Sequence, residues 1–128
     1  MERRKGDDIA ERLLQLAADV LKMVDRIPDG AGTQNAIRQL ERCATAGGAN
    51  YEEARGAESH ADFIHKVRIA LKEVRETRYW LRLALKCRWS RDVAELERMV
   101  DESSQLVAIL VASCNTARRN AANASKQS

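Results

Sequence analysis

Aromatic residues make up only 4% of this 128-residue chain, and proline occurs once, at position 28. Strands draw on aromatic and β-branched side chains, and small-strand folds on Pro- and Gly-rich turns, so sandwiches and barrels lack their raw material here. Cysteine is scarce as well. Cys43, Cys87 and Cys114 are odd in number, far apart and without C-x-x-C spacing, which argues against a disulfide framework or a cysteine zinc site and leaves them as expected buried thiols in a reducing compartment. No apolar run approaches the roughly 18 residues that a membrane span needs, and Met1-Glu2-Arg3-Arg4-Lys5-Gly6 leads into amphipathic sequence with no apolar signal region, so no membrane association and a cytoplasmic location are expected.

Catalytic signatures are missing too. There is no Gly-x-x-x-x-Gly-Lys loop, no nucleophile elbow and no Cys–His pairing at a recognisable spacing. The two histidines, His60 and His65, stand five apart and so on different faces of a helix. Asp62-x-x-His65 imitates half of a bundle di-iron motif, but that chemistry takes two Glu-x-x-His units and two further carboxylates, and no second unit exists. The expectation is a protein without metal, cofactor or catalytic residues.

What is present favours helices: 45% apolar and 32% charged residues, rich in Ala, Leu, Glu and Arg, in a length that suits one domain. Asp7 and Asp8 offer a cap and favourable charge for a first helix, in which Ile9, Leu13, Leu16, Val20, Met23 and Ile27 recur at spacings of three and four. Pro28-Asp29-Gly30 ends it. Thr33 can cap a second helix carrying Ile37, Leu40, Ala44, Gly47, Tyr51 and Ala54; Gly47 and Gly48 in its middle favour close packing of another backbone against an unbroken helix over a bend. Gly56 serves as its C-cap, and Ser59, with Asp62 at the capping-box position, opens the third.

That third helix places Phe63, Val67, Ala70, Val74, Thr77, Leu81 and Leu85 on one seam, widened by Ile64, Leu71, Trp80, Leu83 and Cys87. After Arg88-Trp89-Ser90 a fourth carries Val93, Leu96, Val100, Ser103, Val107, Leu110 and Cys114. The fold expected is an all-α, up-and-down antiparallel four-helix bundle over residues 1–116, with helices at about 7–27, 33–56, 60–87 and 91–115 and a flexible polar tail from 117 to 128.

Three polar residues fall near apolar seams, Asn50, Glu53 and Glu76, and are expected to hydrogen-bond across the bundle or at an interface. The outer face of the third helix is basic: Arg68, Lys72, Arg75, Arg78, Arg82 and Lys86, most of them close to one line. Such a face is either solvated and paired within the assembly, or it neutralises a phosphate backbone. The net charge of +3 tolerates a polyanionic partner without demanding one. Tyr79, Trp80 and Trp89 read as packing or interface residues.

The stretch from Gln39 to Leu85 carries a family resemblance. Gln39-Leu40-Glu41-Arg42, Gly48-Ala49-Asn50-Tyr51-x-Glu53-Ala54, Ser59 with Asp62-Phe63-Ile64, Arg68-Ile69-Ala70-Leu71-Lys72-Glu73, Glu76-Thr77 and Tyr79-Trp80-Leu81 together resemble the four-helix-bundle family first noticed as open reading frames inside intervening sequences of bacterial 23S ribosomal RNA genes. Gly48 stands where family members often carry Pro, while Asn50 and Glu53 match. The resemblance implies homo-oligomers, characteristically pentamers packed around a ring, and relatives among the accessory variability proteins of diversity-generating retroelements, whose basic bundles bind nucleic acid and a reverse transcriptase. It supplies no catalytic residue. The function expected is a pentameric scaffold that binds nucleic acid, RNA first, through the third-helix cations; the alternative is a protein-binding adaptor such as a reverse-transcriptase accessory subunit, its basic face used in subunit contacts.

Overall fold

The computed structural model describes residues 4–28, 30 and 32–127. Four helices, α1 (Asp7–Val24), α2 (Gln34–Arg55), α3 (His60–Cys87) and α4 (Val93–Gln127), account for its regular structure, and no strand occurs among the described residues. Each helix packs on the next in chain order and α1 closes the set against α4. Cross-helix pairs fix the directions. Arg12 meets Glu102 and Arg26 meets Glu95, while Arg42 meets Glu73 and Lys66 meets Glu53. In each set, rising numbers on one helix meet falling numbers on the other, so α1 with α4 and α2 with α3 are antiparallel.

The core follows the expected stripes. Leu13, Leu16, Val20 and Met23 of α1, Leu40, Ala44, Tyr51 and Ala54 of α2, Val67, Ala70, Val74 and Leu81 of α3 and Leu96 and Leu110 of α4 are all buried. The seam of α4 differs in detail: Met99, Leu106 and Ala117 are buried, whereas Val93 is exposed and Val100 and Val107 only flank the core. Two polar residues lie inside it, Thr77 and Ser103, and each turns its hydroxyl back to a carbonyl of its own helix, that of Glu73 at 2.8 Å and Val100 at 2.8 Å. Both are thus satisfied locally, as burial requires.

The glycine pair resolves as close packing. α2 is continuous through Gly47 and Gly48. A Cβ on Gly47 would sit 3.0 Å from Val74 Cγ2 of α3, and one on Gly48 3.5 Å from Leu13 Cβ of α1. Adjacent glycines face different neighbours, so α2 comes close to both at the same level.

Helix ends differ from expectation in four places. The N-cap of α1 is Gly6 in the left-handed region, φ 88°, and Asp7 and Asp8 are the first helical residues instead of caps. Ordered α-helix stops at Val24, where Arg26 and Ile27 form tighter bonds to carbonyls three residues back; Asp29 of the following break lies outside the described residues. Thr33 occupies the N-cap of α2, but its hydroxyl donates to the Gly30 carbonyl and leaves the helix amides alone. Last, α4 runs to Gln127, twelve residues beyond the expected end at 115. Residues 117–127 contain no Gly or Pro to stop a helix, and Ala117, Ala121, Ala122 and Ala124 with Arg, Lys and Gln are strong helix formers, so a segment short of apolar residues still continues the turn it is attached to. Ser128 and Met1–Arg3 lie outside the described residues. Ser59 caps as expected, accepting from the Asp62 N–H at 3.1 Å, and Asp92 does the same for α4 from Glu95 at 3.0 Å. No helix is long and apolar enough to cross a membrane, among the described residues.

Candidate nucleic-acid interface

The solvent side of α3 is set by helical spacing alone. Core positions Val67, Ala70, Val74, Thr77, Leu81 and Ala84 define one face, so positions 68, 72, 75, 79, 82 and 86, alternating by four and three, define the opposite one. Their occupants are Arg68, Lys72, Arg75, Tyr79, Arg82 and Lys86, all exposed. The line spans about 27 Å at 1.5 Å per residue. None of its five cations has a hydrogen bond or an ion pair among the described residues, and no carboxylate interrupts it.

The carboxylates of α3 are drawn elsewhere. Glu73 and Glu76 lie toward α2, where Arg42 takes both, Glu73 at 3.0 Å and Glu76 through its other terminal nitrogen. Lys66 is likewise consumed, at 3.0 Å from Glu53. Spacing already puts Glu73 and Glu76 off the stripe, and Arg42 ties both to α2, a pairing that sequence reading missed because it crosses between helices 31 and 34 residues apart.

The expected site residues thus divide. Arg68, Lys72, Arg75, Arg82 and Lys86 are brought into one line. Arg78 is not part of it: it is half-buried on the flank, and its Nε is buried without a partner. Asn50, expected to bond across the bundle, donates instead to the Ala46 carbonyl of its own helix at 2.9 Å. Glu53 and Glu76 do bond across helices. Trp80 packs against the core, but Tyr79, read from sequence as an interface or packing residue beside it, sits 59% exposed in the middle of the cation line. The two rings meet edge to face, centroids 5.0 Å apart and planes crossing at 79°. Of the cysteines, Cys43 and Cys114 are buried as expected; Cys87, expected to be buried, is exposed, although Leu85 and Trp89 on either side of it pack against the core. His60 and His65 are both exposed, and no group of three His, Cys, Asp or Glu side chains able to hold a metal occurs among the described residues.

A second surface feature lies on the other side of the bundle. Ala10, Leu13, Leu14, Ala17, Ala18 and Leu21 of α1 and Thr45, Gly48 and Ala49 of α2, together with the charged Asp7, Glu11, Glu52 and Arg55, line an open groove of about 710 Å³. Leu14 is 62% and Leu21 41% exposed at its edge. Small residues, Ala10, Ala17, Ala18, Gly48 and Ala49, make up part of its lining.

An all-α bundle of four helices with a basic outer helix defines the class. This chain belongs to the 23S rRNA-intervening sequence protein family, whose model matches residues 7–112. Among solved structures it is similar to a protein of unknown function from the S23 ribosomal protein family of Bacteroides thetaiotaomicron, with 29% identity and a TM-score of 0.72 over 83% of this chain and 97% of that one. No curated protein matches.

Proposed function

We propose that this chain is a non-enzymatic, homo-oligomeric scaffold, a pentamer, that binds nucleic acid, RNA first, through the α3 stripe. The observation that carries the reading is the run of five unpaired cations on one exposed line of α3. Holding five like charges side by side without counter-charge is unfavourable for the isolated fold, and a polyanion relieves it by giving up its own condensed counterions. Contacts of this kind read charge and shape, so little base specificity is expected.

The groove between α1 and α2 supports self-association. Leu14 and Leu21 leave apolar surface in water that a second copy of the chain would cover, and an interface there leaves α3 outward and available. Leu14→Glu is expected to lower the mass found by light scattering without unfolding the helices.

The second reading, a protein adaptor such as a reverse-transcriptase accessory subunit, draws on Tyr79 and the arginines beside it, since Tyr and Arg are enriched in protein interfaces. Arg75→Glu with Arg82→Glu separates the two. Loss of binding to structured RNA with the oligomer intact supports the nucleic-acid scaffold; a broken oligomer, or unchanged RNA binding, overturns it.

A further inference from the structure

We infer that Tyr79 is a stacking platform, and that the nucleic acid taken by the α3 stripe is one with unpaired bases, a single strand and not a continuous duplex. The inference rests on the nucleic-acid reading above and narrows it.

Among the described residues Tyr79 is one of only four large apolar side chains that are exposed, and the only aromatic among them. Its position within the stripe is specific. Arg75 lies four residues before it and Arg82 three after, each with its Cβ about 5–6 Å away. Lys72 and Lys86 lie seven residues to either side, about 10 Å along the axis. The ring thus has cations on both sides along the helix and no carboxylate on its line.

The ring is also free. Among the described residues its one ring contact is with Trp80, no cation lies over it, and its hydroxyl has no hydrogen-bond partner. Because the two planes cross at 79°, Trp80 can close off at most one face of Tyr79, whichever ring presents its edge. Trp80 thus leaves at least one face uncovered, and Tyr79 as a whole is 59% exposed. Trp80 is anchored against the core, so it braces Tyr79 and lowers the ordering cost of using it.

A duplex cannot use this arrangement. Its base faces are covered by their neighbours, and a helix laid along it meets phosphates and sugar, which the cations alone would hold. An unpaired strand offers phosphates for Arg75 and Arg82 and a bare base face for the ring between them, the pairing of basic track and aromatic that single-strand binders use with little regard for sequence.

The test is fluorescence anisotropy at fixed salt with four probes of equal length: oligo-uridine RNA, oligo-thymidine DNA, and fully paired RNA and DNA duplexes. Tyr79→Ala is expected to weaken binding of single strands by about 5- to 150-fold, the range for one stacked base, while duplex binding stays within about twofold. Tyr79→Phe, which keeps the face and loses the hydroxyl, should bind as the unaltered protein does. Arg75→Ala with Arg82→Ala should weaken all probes. If Tyr79→Ala affects single strands and duplexes alike, or neither, the stacking inference is overturned and the charge-based reading stands. If no probe binds at all, both fall.

Discussion

Gly47 and Gly48 are consecutive residues of one helix, yet alanine should act on them with different results. A glycine in a helix interior costs about 1 kcal/mol relative to alanine, and this gain is common to both substitutions. The surroundings are not. A Cβ at position 48 would meet Leu13 Cβ at 3.5 Å and that residue's backbone at 3.8 Å, ordinary van der Waals separations. At position 47 it would meet Val74 Cγ2 at 3.0 Å, about 0.5–1 Å inside the optimum for two carbons. Val74 is buried and β-branched, with one favoured rotamer in a helix, so it cannot swing aside. Overpacking of this kind costs about 1–3 kcal/mol.

Gly48→Ala is therefore expected to stabilise by up to about 1 kcal/mol, and Gly47→Ala to change little or to destabilise by up to about 2 kcal/mol. Their difference isolates the overpacking, because the propensity gain cancels. Urea unfolding followed by circular dichroism at a fixed chain concentration measures it. In the Val74→Ala background, where the obstructing methyl is gone, Gly47→Ala should recover most of its deficit. Equal stability of the two single variants, or Gly47→Ala the more stable, would refute the reasoning.

Three further outcomes are expected. At neutral pH an aromatic disulfide reagent should titrate Cys87 rapidly and reach Cys43 and Cys114 only after unfolding, since both are buried and burial pushes the Cys43 thiol up to about 11; rapid reaction of three thiols in the folded protein would contradict the packing. The Asp7 carboxyl is held below its ordinary value of 3.8, first by the Arg4 backbone N–H and then by the Arg55 guanidinium. A depressed carboxylate favours the folded state above its unfolded value and ceases to as pH falls through the folded one, so Asp7→Asn should be the less stable protein at pH 6, and the gap should narrow as the pH falls below 3.8; a deficit that does not narrow in acid would show a different cause. Ser59→Ala removes the cap on α3 and should cost about 1 kcal/mol in the same unfolding assay.

The stripes of α1 and α3 were legible because each apolar residue recurs at three and four, and the helix between Pro28 and Gly56 was legible because both ends carry breakers. The end of α4 was not. A run of Ala, Arg and Asn has no periodic apolar signal, and its helicity comes from backbone propensity and from being joined to a docked helix, whose last buried residue is Ala117. The caps of α1 and α2 misled for a related reason: Asp7 and Thr33 are good capping types, but the Asp7 carboxylate accepts from the Arg4 N–H and pairs with Arg55, and the Thr33 hydroxyl turns to the Gly30 carbonyl instead of accepting from the helix amides. At the candidate interface, spacing was enough to align Arg68, Lys72, Arg75, Arg82 and Lys86. The exposure of Tyr79 was equally implicit in that spacing, seven residues from Lys72 and from Lys86, but an aromatic next to Trp80 suggested packing. What no pattern could supply was Arg42, whose hold on Glu73 and Glu76 depends on how α2 and α3 are juxtaposed.

The dependence of RNA affinity on salt tests the scaffold reading most directly. If all five cations of the α3 stripe meet phosphates, the logarithm of the binding constant should fall against the logarithm of salt with a slope of about −3.5 for a single strand. Changing Arg75 and Arg82 to Ala should reduce that slope by about 1.4, two phosphates' worth. Absence of binding at low salt, or a slope unmoved by the loss of both arginines, would contradict a nucleic-acid interface on α3.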